Sequence, residues 1–88
     1  MKIKEGFMLR EIAGQAIVVP LGSRVVEISG IISLSESGAL LWRELVNGAD
    51  TESLVECLLR EYDVDEETAR NDVKEFIDSV KEKDLLDD

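Results

Sequence analysis

Histidine is absent from this sequence, and cysteine occurs once, as Cys57. Without histidine, the common zinc ligand sets, the Ser-His-Asp triad and imidazole acid–base catalysis cannot be built. The six glycines are scattered singly, so the sequence offers no glycine-rich phosphate loop. We therefore expect no enzyme activity, no cofactor and no bound metal. A single cysteine also excludes an internal disulfide and favours a reducing, cytoplasmic location.

Long hydrophobic runs are missing as well. No stretch approaches the ~18 apolar residues that a membrane-spanning helix requires. The first residues, MKIKEGFMLR, lack the apolar segment of roughly 7–15 residues that a signal peptide contains. We expect no association with a membrane. The chain of 88 residues is long enough for one hydrophobic core but not for two, so we predict a single domain over residues 1–88.

Positive charge is scarce and unevenly placed. Residues 1–34 contain four basic and three acidic side chains, whereas residues 35–88 contain six basic and seventeen acidic ones. Affinity for nucleic acid depends on neutralising phosphates with Lys and Arg, so the acidic second part would repel a duplex. The sequence therefore predicts no nucleic-acid partner. A winged-helix DNA-binding regulator is the alternative, because strands followed by short helices also build that fold.

Isoleucine and valine are concentrated in the first part of the chain, where glycines separate the apolar segments. We predict strands over residues 7–13 and 15–21, joined by a tight turn at Ala13-Gly14-Gln15. A third strand is expected within residues 25–34, and its regular portion is Ile31–Leu34. Sequential strands with such short connections favour an antiparallel sheet.

From Ser35 onward the apolar residues recur at helical spacing in three segments. Ser35 is the expected N-cap of the first helix, which ends at Asn47-Gly48. Asp50 or Thr51 caps the second helix, and Asp65 caps the third. The predicted fold is therefore α+β and similar to a winged helix-turn-helix: a three-stranded antiparallel sheet followed by three helices.

The apolar stripes of the second and third helices predict which residues they bury. The stripe of the second helix consists of Leu54, Val55, Leu58, Leu59 and Tyr62. The stripe of the third helix consists of Ala69, Val73, Phe76, Ile77 and Val80. Cys57 lies off its stripe, and we expect no chemical role for it.

The two edges of the predicted sheet differ in charge. The first strand carries Arg10 and Glu11, and charges of this kind discourage pairing with another chain. Ile31–Leu34 carries no charge, so this edge is either covered by a helix or left open for a peptide. An open edge can bind a peptide by β-strand addition, in which backbone hydrogen bonds give affinity and side-chain pockets give specificity.

Three segments together resemble a known family: GFMLREIAGQAIVVPLG, then GIISLSESGALLW, then YDVDEETARNDVKEFIDSVKEKDLL. They are similar to the PqqD-like family, named for pyrroloquinoline quinone synthesis protein D and also called the RiPP recognition element. The resemblance covers residues 5 to 86. Its most specific phrase is LSESGALLW, where relatives commonly have LNxTGAxLW. Ser35 and Ser37 replace the usual Asn and Thr, and both can still cap a helix.

The resemblance implies a small peptide chaperone without catalytic activity. Such proteins bind the leader segment of a ribosomally synthesised precursor peptide and present it to a modifying enzyme. The enzyme expected first is a radical SAM maturase; a leader peptidase of lasso-peptide synthesis and a lanthipeptide enzyme are alternatives. The leader would join the sheet beside the third strand and against the third helix.

With the leader placed in this way, nine residues are expected to bind it. They are Ile31, Ile32, Ser33, Leu34, Arg70, Val73, Lys74, Ile77 and Lys81. The strand residues would pair with the leader, and Val73 and Ile77 would form the floor of a groove, while Phe76 and Val80 fill the core. The basic residues form a positive strip that would favour a leader carrying Glu or Asp.

Overall fold

The computed structural model of the chain describes residues 1–22 and 32–87, and within these ranges three strands precede three helices. The strands are β1 (Phe7–Ile12), β2 (Gln15–Pro20) and β3 (Ile32–Leu34). The helices are α1 (Glu36–Val46), α2 (Thr51–Glu61) and α3 (Glu66–Glu82). The α+β order predicted from the sequence is confirmed. The predicted strand segment over residues 25–30, together with Ile31, lies outside the described residues.

β1 and β2 form an antiparallel hairpin that is paired along its whole length. Its two turn residues, Ala13 and Gly14, have φ of 52° and 80°. Two left-handed residues in a two-residue loop are typical of a type I′ turn, whose twist matches that of the strands. The predicted turn is confirmed. Both strands end one residue earlier than predicted, since Ala13 belongs to the turn and Leu21 follows the last pair.

β3 pairs antiparallel with the other side of β2, so the sheet order is β1-β2-β3. Ile32 lies opposite Val18, and Leu34 lies opposite Ala16. Ile32 and Leu34 pack against the hydrophobic core, whereas Ser33 between them is exposed, as the alternation of a strand requires. One face of β3 is therefore turned towards the helices.

Each helix begins at a side chain that accepts a hydrogen bond from a backbone N–H of its first turn. The acceptors are Ser35 for α1, Asp50 for α2 and Asp65 for α3. These N-caps confirm the predicted helix starts and select Asp50 rather than Thr51. Ser53, chiefly through its backbone N–H, lowers the pKa of Asp50, and the side chain and N–H of Thr68 lower the pKa of Asp65. Both caps are therefore carboxylates at neutral pH.

The hydrophobic core lies between the sheet and the three helices. Its most completely buried side chains include Trp42, Leu45, Leu54 and Val73, and Val18 contributes from the sheet. The predicted face of α3 is confirmed, because all five of its apolar residues are buried. No helix within the described ranges is long and apolar enough to cross a membrane.

The predicted face of α2 is wrong at two positions. Cys57 is only 1% exposed, whereas Leu59 is 37% exposed. At about 100° per residue, Cys57 lies on one margin of the buried arc and Leu59 lies beyond the other margin. The thiol Sγ lies 3.7 Å from Oε1 of Glu44 on α1 and donates to it. Helix packing has thus shifted the buried arc towards α1.

The first and last described segments lie side by side. Ile3 forms an antiparallel β-bridge with Leu86, and its backbone N–H donates to the carbonyl of Leu45 at the end of α1. The N–H of Asp87 donates to the carbonyl of Lys2 at 2.8 Å. Ile3 and Leu86 are both buried, so this pairing closes the core at the C-terminal end of α1.

Candidate functional site

Among the described residues, the outer edge of β3 has no strand beside it, because β2 occupies its other side. In an antiparallel strand, alternate residues direct their N–H and C=O groups away from the neighbouring strand. The edge formed by Ile32, Ser33 and Leu34 carries no charged side chain that would discourage a further strand. The sequence left open whether a helix or a peptide covers this edge. Ile31, the first of the four predicted strand residues, lies outside the described residues.

A groove of about 310 Å³, the β3–α3 groove, runs between this strand, the start of α1 and α3. It is lined by Ser33, Leu34, Ser35, Ser37, Gly38, Leu41, Asp72, Glu75, Phe76 and Ser79. The α1 residues belong to the phrase SESGALLW, which is the segment that carries the family resemblance. The strand-into-helix junction therefore builds both the edge and part of the groove beside it.

Gly38 keeps this junction compact. A Cβ atom at this position would lie 3.3 Å from the Ser35 Oγ and 3.5 Å from the Leu34 Cβ. It would also lie 3.8 Å from Cδ1 of Phe76, across the groove. Because Ser35 uses the same Oγ to cap α1, a side chain at residue 38 would press on the cap and enter the groove.

A second cavity of about 270 Å³, the α2-side pocket, adjoins the groove and shares Ser35, Ser37 and Asp72 with it. Leu58, Tyr62 and Val64 supply its apolar lining. Desolvation raises the pKa of Tyr62, and the negative charges of Glu36 and Glu61 raise it further, so its phenol is neutral. The groove and the pocket together form one depression that has both apolar and acidic walls.

A larger cavity of about 640 Å³ lies towards the hairpin turn, between Gly14 and the first turns of α1. Its walls include Glu11 and Arg43, whose side chains form an exposed ion pair at 3.3 Å. It reaches Ser33 and Leu34 but no residue of α3. Its size does not make it the better peptide site, because Glu11 and Arg43 in its walls already pair with each other and it contains few apolar side chains.

The structure corrects the predicted floor of the β3–α3 groove. Val73 is completely buried and Ile77 is 8% exposed, and neither lines the groove. Phe76, expected in the core alone, also lines the groove, while Val80 is in the core as predicted. The reason is the rotation of α3: it faces β3 with the margin of its apolar stripe that carries Asp72.

The predicted positive strip lies on the opposite margin of α3. At about 100° per residue, Arg70, Lys74 and Lys81 are about 100–140° from Ala69 in one direction, whereas Asp72 and Glu75 are about 60–120° from it in the other. The structure therefore does not bring these three basic residues together with β3. Contact between the strip and a bound peptide stays a prediction.

Arg70 is also not a free cation. Its guanidinium donates two hydrogen bonds to the carboxylate of Glu52 on α2, at 2.8 and 3.0 Å, and contacts Glu66 at 3.5 Å. The pairing raises the pKa of Arg70 and lowers that of Glu52. The sequence analysis did not reveal this pair, because Glu52 precedes Arg70 by eighteen residues and belongs to another helix.

The sequence model of one protein family, described as coenzyme PQQ synthesis protein D (PqqD), matches residues 15–86. The chain belongs to the PqqD family. The resemblance noted in the sequence is thereby confirmed. No curated protein sequence matches the chain.

Two solved structures share the fold of this PqqD-family chain. One is the structure of TbiB1 in complex with the TbiA(beta) leader peptide. Its sequence is 25% identical to this chain and the TM-score is 0.77, and the match covers 99% of this chain and 95% of TbiB1. The structure of lasso peptide synthetase B1 complexed with the leader peptide is 18% identical, with a TM-score of 0.73. That match covers 96% of this chain and 93% of the other. Both comparisons confirm the predicted α+β fold.

Proposed function

We propose that this protein binds the leader segment of a ribosomally synthesised precursor peptide and presents it to a modifying enzyme, without catalysing a reaction itself. The observation that carries the proposal is the open, uncharged edge of β3 beside the β3–α3 groove. The match to TbiB1, whose structure contains the TbiA(beta) leader peptide, supports a peptide as the ligand.

Strand addition explains how so short an edge can bind a peptide. An antiparallel leader would exchange backbone hydrogen bonds with Ile32–Leu34, and every second leader side chain would point towards α3 and α1. Phe76 and the apolar wall of the α2-side pocket are placed to bury such side chains. We expect a dissociation constant near micromolar, which corresponds to about −8 kcal/mol.

The enzyme served is proposed to be a radical SAM maturase first and a leader peptidase second. Genes that neighbour the coding gene would show a short precursor and one of these enzymes. Co-purification of the full chain with each encoded candidate, with and without the precursor, would distinguish them. Recovery of neither enzyme in a complex would contradict the adaptor role.

The direct test is a titration of the precursor's leader into isotopically labelled protein, followed by NMR. Amide shifts are expected at residues 32–34, at the start of α1 and along the Asp72–Ser79 margin of α3. Shifts concentrated on the exposed face of α2 would contradict the placement. A gel shift with duplex DNA at ~150 mM salt tests the DNA-binding alternative, and we expect no complex because the helical part is acidic.

A further inference from the structure

The charged walls of the β3–α3 groove and the α2-side pocket consist of carboxylates alone. Asp72 lines both cavities, Glu75 lines the groove and Glu36 lines the pocket, and no Lys or Arg of the described segments lines either one. In the same segments, none of these three carboxylates forms an ion pair. The depression therefore presents negative charge that the described residues do not neutralise.

Some carboxylates elsewhere on the surface do have cationic partners. Glu11 pairs with Arg43 at 3.3 Å, and Asp84 pairs with Lys4 at 3.0 Å. Asp72 and Glu75, in contrast, are three residues apart on one margin of α3, where like charges repel each other. A cation placed between them would relieve this repulsion, whereas a further anion would increase it.

The geometry of strand addition brings peptide side chains to this place. Side chains of an added strand that point to the same side as Ile32 and Leu34 enter the groove, whose far wall is the Asp72–Ser79 margin of α3. Phe76 on this wall can contact the aliphatic stem of a long side chain, while the carboxylates beside it contact the charged end. Lysine and arginine have this combination of stem and charge.

We infer that the peptide bound in this groove carries a lysine or arginine side chain that pairs with Asp72 and Glu75. The inference rests on the proposed strand addition, and it names the charge of the leader that the protein selects. It is opposite to the acidic leader expected from the sequence, because the positive strip lies on the other margin of α3. Desolvation raises the pKa of Tyr62 in the adjoining α2-side pocket, and the negative charge of Glu36, which lines the same pocket, raises it further.

The experiment is a selection of displayed short random peptides on the immobilised full chain. Peptides that bind the wild-type protein are expected to be enriched in Lys and Arg at one position relative to alternating apolar residues. The double variant Asp72→Asn, Glu75→Gln should lose this enrichment. Individual selected peptides should bind the variant about 2- to 10-fold more weakly, which is the range of one or two exposed ion pairs.

A matched control separates a local pair from the general acidity of the chain. The double variant Glu67→Gln, Asp78→Asn also removes two negative charges from α3, at exposed positions on its outer face, about 160–180° round the helix from Ala69. It should keep the enrichment and bind selected peptides as the wild type does. Affinity for the wild type should fall as salt rises to about 0.5 M, since exposed ion pairs are screened.

The outcomes distinguish this inference from the proposed function. Selected peptides that shift the amides of residues 32–34 but show no preference for basic residues would overturn the charge assignment and leave strand addition in place. Equal loss of enrichment in the two double variants would also overturn it. Peptides that bind without any shift at residues 32–34, or a complete failure of selection, would contradict both.

Discussion

The hydroxyl oxygen of Ser35 accepts a hydrogen bond from the backbone N–H of Gly38 at 3.1 Å, immediately after β3 ends at Leu34. This contact fixes the angle at which the chain leaves the sheet and enters α1. Both residues also line the β3–α3 groove, so the bond that starts the helix shapes the candidate binding site.

Replacing Ser35 with alanine should lower the free energy of unfolding by about 1 kcal/mol, because the N–H of Gly38 loses its acceptor. Urea denaturation measures this loss. Ser35→Asn restores an oxygen acceptor and introduces the residue usual in the family, so it should retain most of the stability. Equal stability of the alanine and asparagine variants would show that the cap contributes little.

Ala13 offers a stabilising substitution. A φ of 52° is energetically less favourable for alanine than for asparagine. Asn-Gly is also the preferred residue pair of a type I′ turn. We expect Ala13→Asn to raise the free energy of unfolding by roughly 0.5–1 kcal/mol. Ala13→Val, with a β-branched side chain at the same φ, should lower it. Equal denaturation midpoints for the Asn and Ala proteins would contradict a left-handed conformation at residue 13.

Reversal of the positive strip separates the two views of leader charge. The sequence alone predicts that reversing the charges of Arg70 and Lys74 weakens leader binding. In the structure the strip lies on the margin of α3 away from the groove. We therefore expect the double variant Lys74→Glu, Lys81→Glu to bind the leader within about twofold of the wild-type affinity. Isothermal titration of the leader measures the difference. Arg70→Glu is a poor choice for this test, because it would place a third carboxylate beside Glu52 and Glu66.

Cys57 should react slowly with thiol reagents in the folded protein. Burial raises the pKa of its thiol above the ordinary 9.0, and the charge of Glu44 raises it further. A raised folded-state pKa means that the contribution of the neutral thiol to stability is complete below pH 9 and is lost as pH rises through the folded value. Stability should therefore fall more steeply above pH 9 than it does in Cys57→Ala. If the folded protein reacted with Ellman's reagent as fast as the urea-unfolded protein, the burial of Cys57 would be contradicted.

Local chemistry made much of the fold predictable. Ser35, Asp50 and Asp65 are short polar residues placed directly before helical repeats, and each accepts the hydrogen bond that such a position offers. The Ala13-Gly14 turn likewise follows from a glycine between two apolar segments. These features depend on neighbours in sequence, so the amino-acid sequence alone predicts them.

The candidate site was predicted less well, because it depends on how α3 docks. The sequence gives an apolar stripe but does not say which margin of that stripe meets β3. Asp72 and Phe76 line the groove and Lys74 does not. This follows from the rotation of α3 about its axis, which is determined by packing of the complete core. The ion pair of Arg70 with Glu52 joins two helices and has the same origin.

The pairing of Ile3 with Leu86 joins two segments that are far apart in the sequence. Ile3 also donates to Leu45, which is seven residues along α1 from Gly38, or about 10 Å at ~1.5 Å per residue. The C-terminal end of α1 is therefore held by contacts between distant segments, whereas its N-terminal end builds the groove together with β3 and α3.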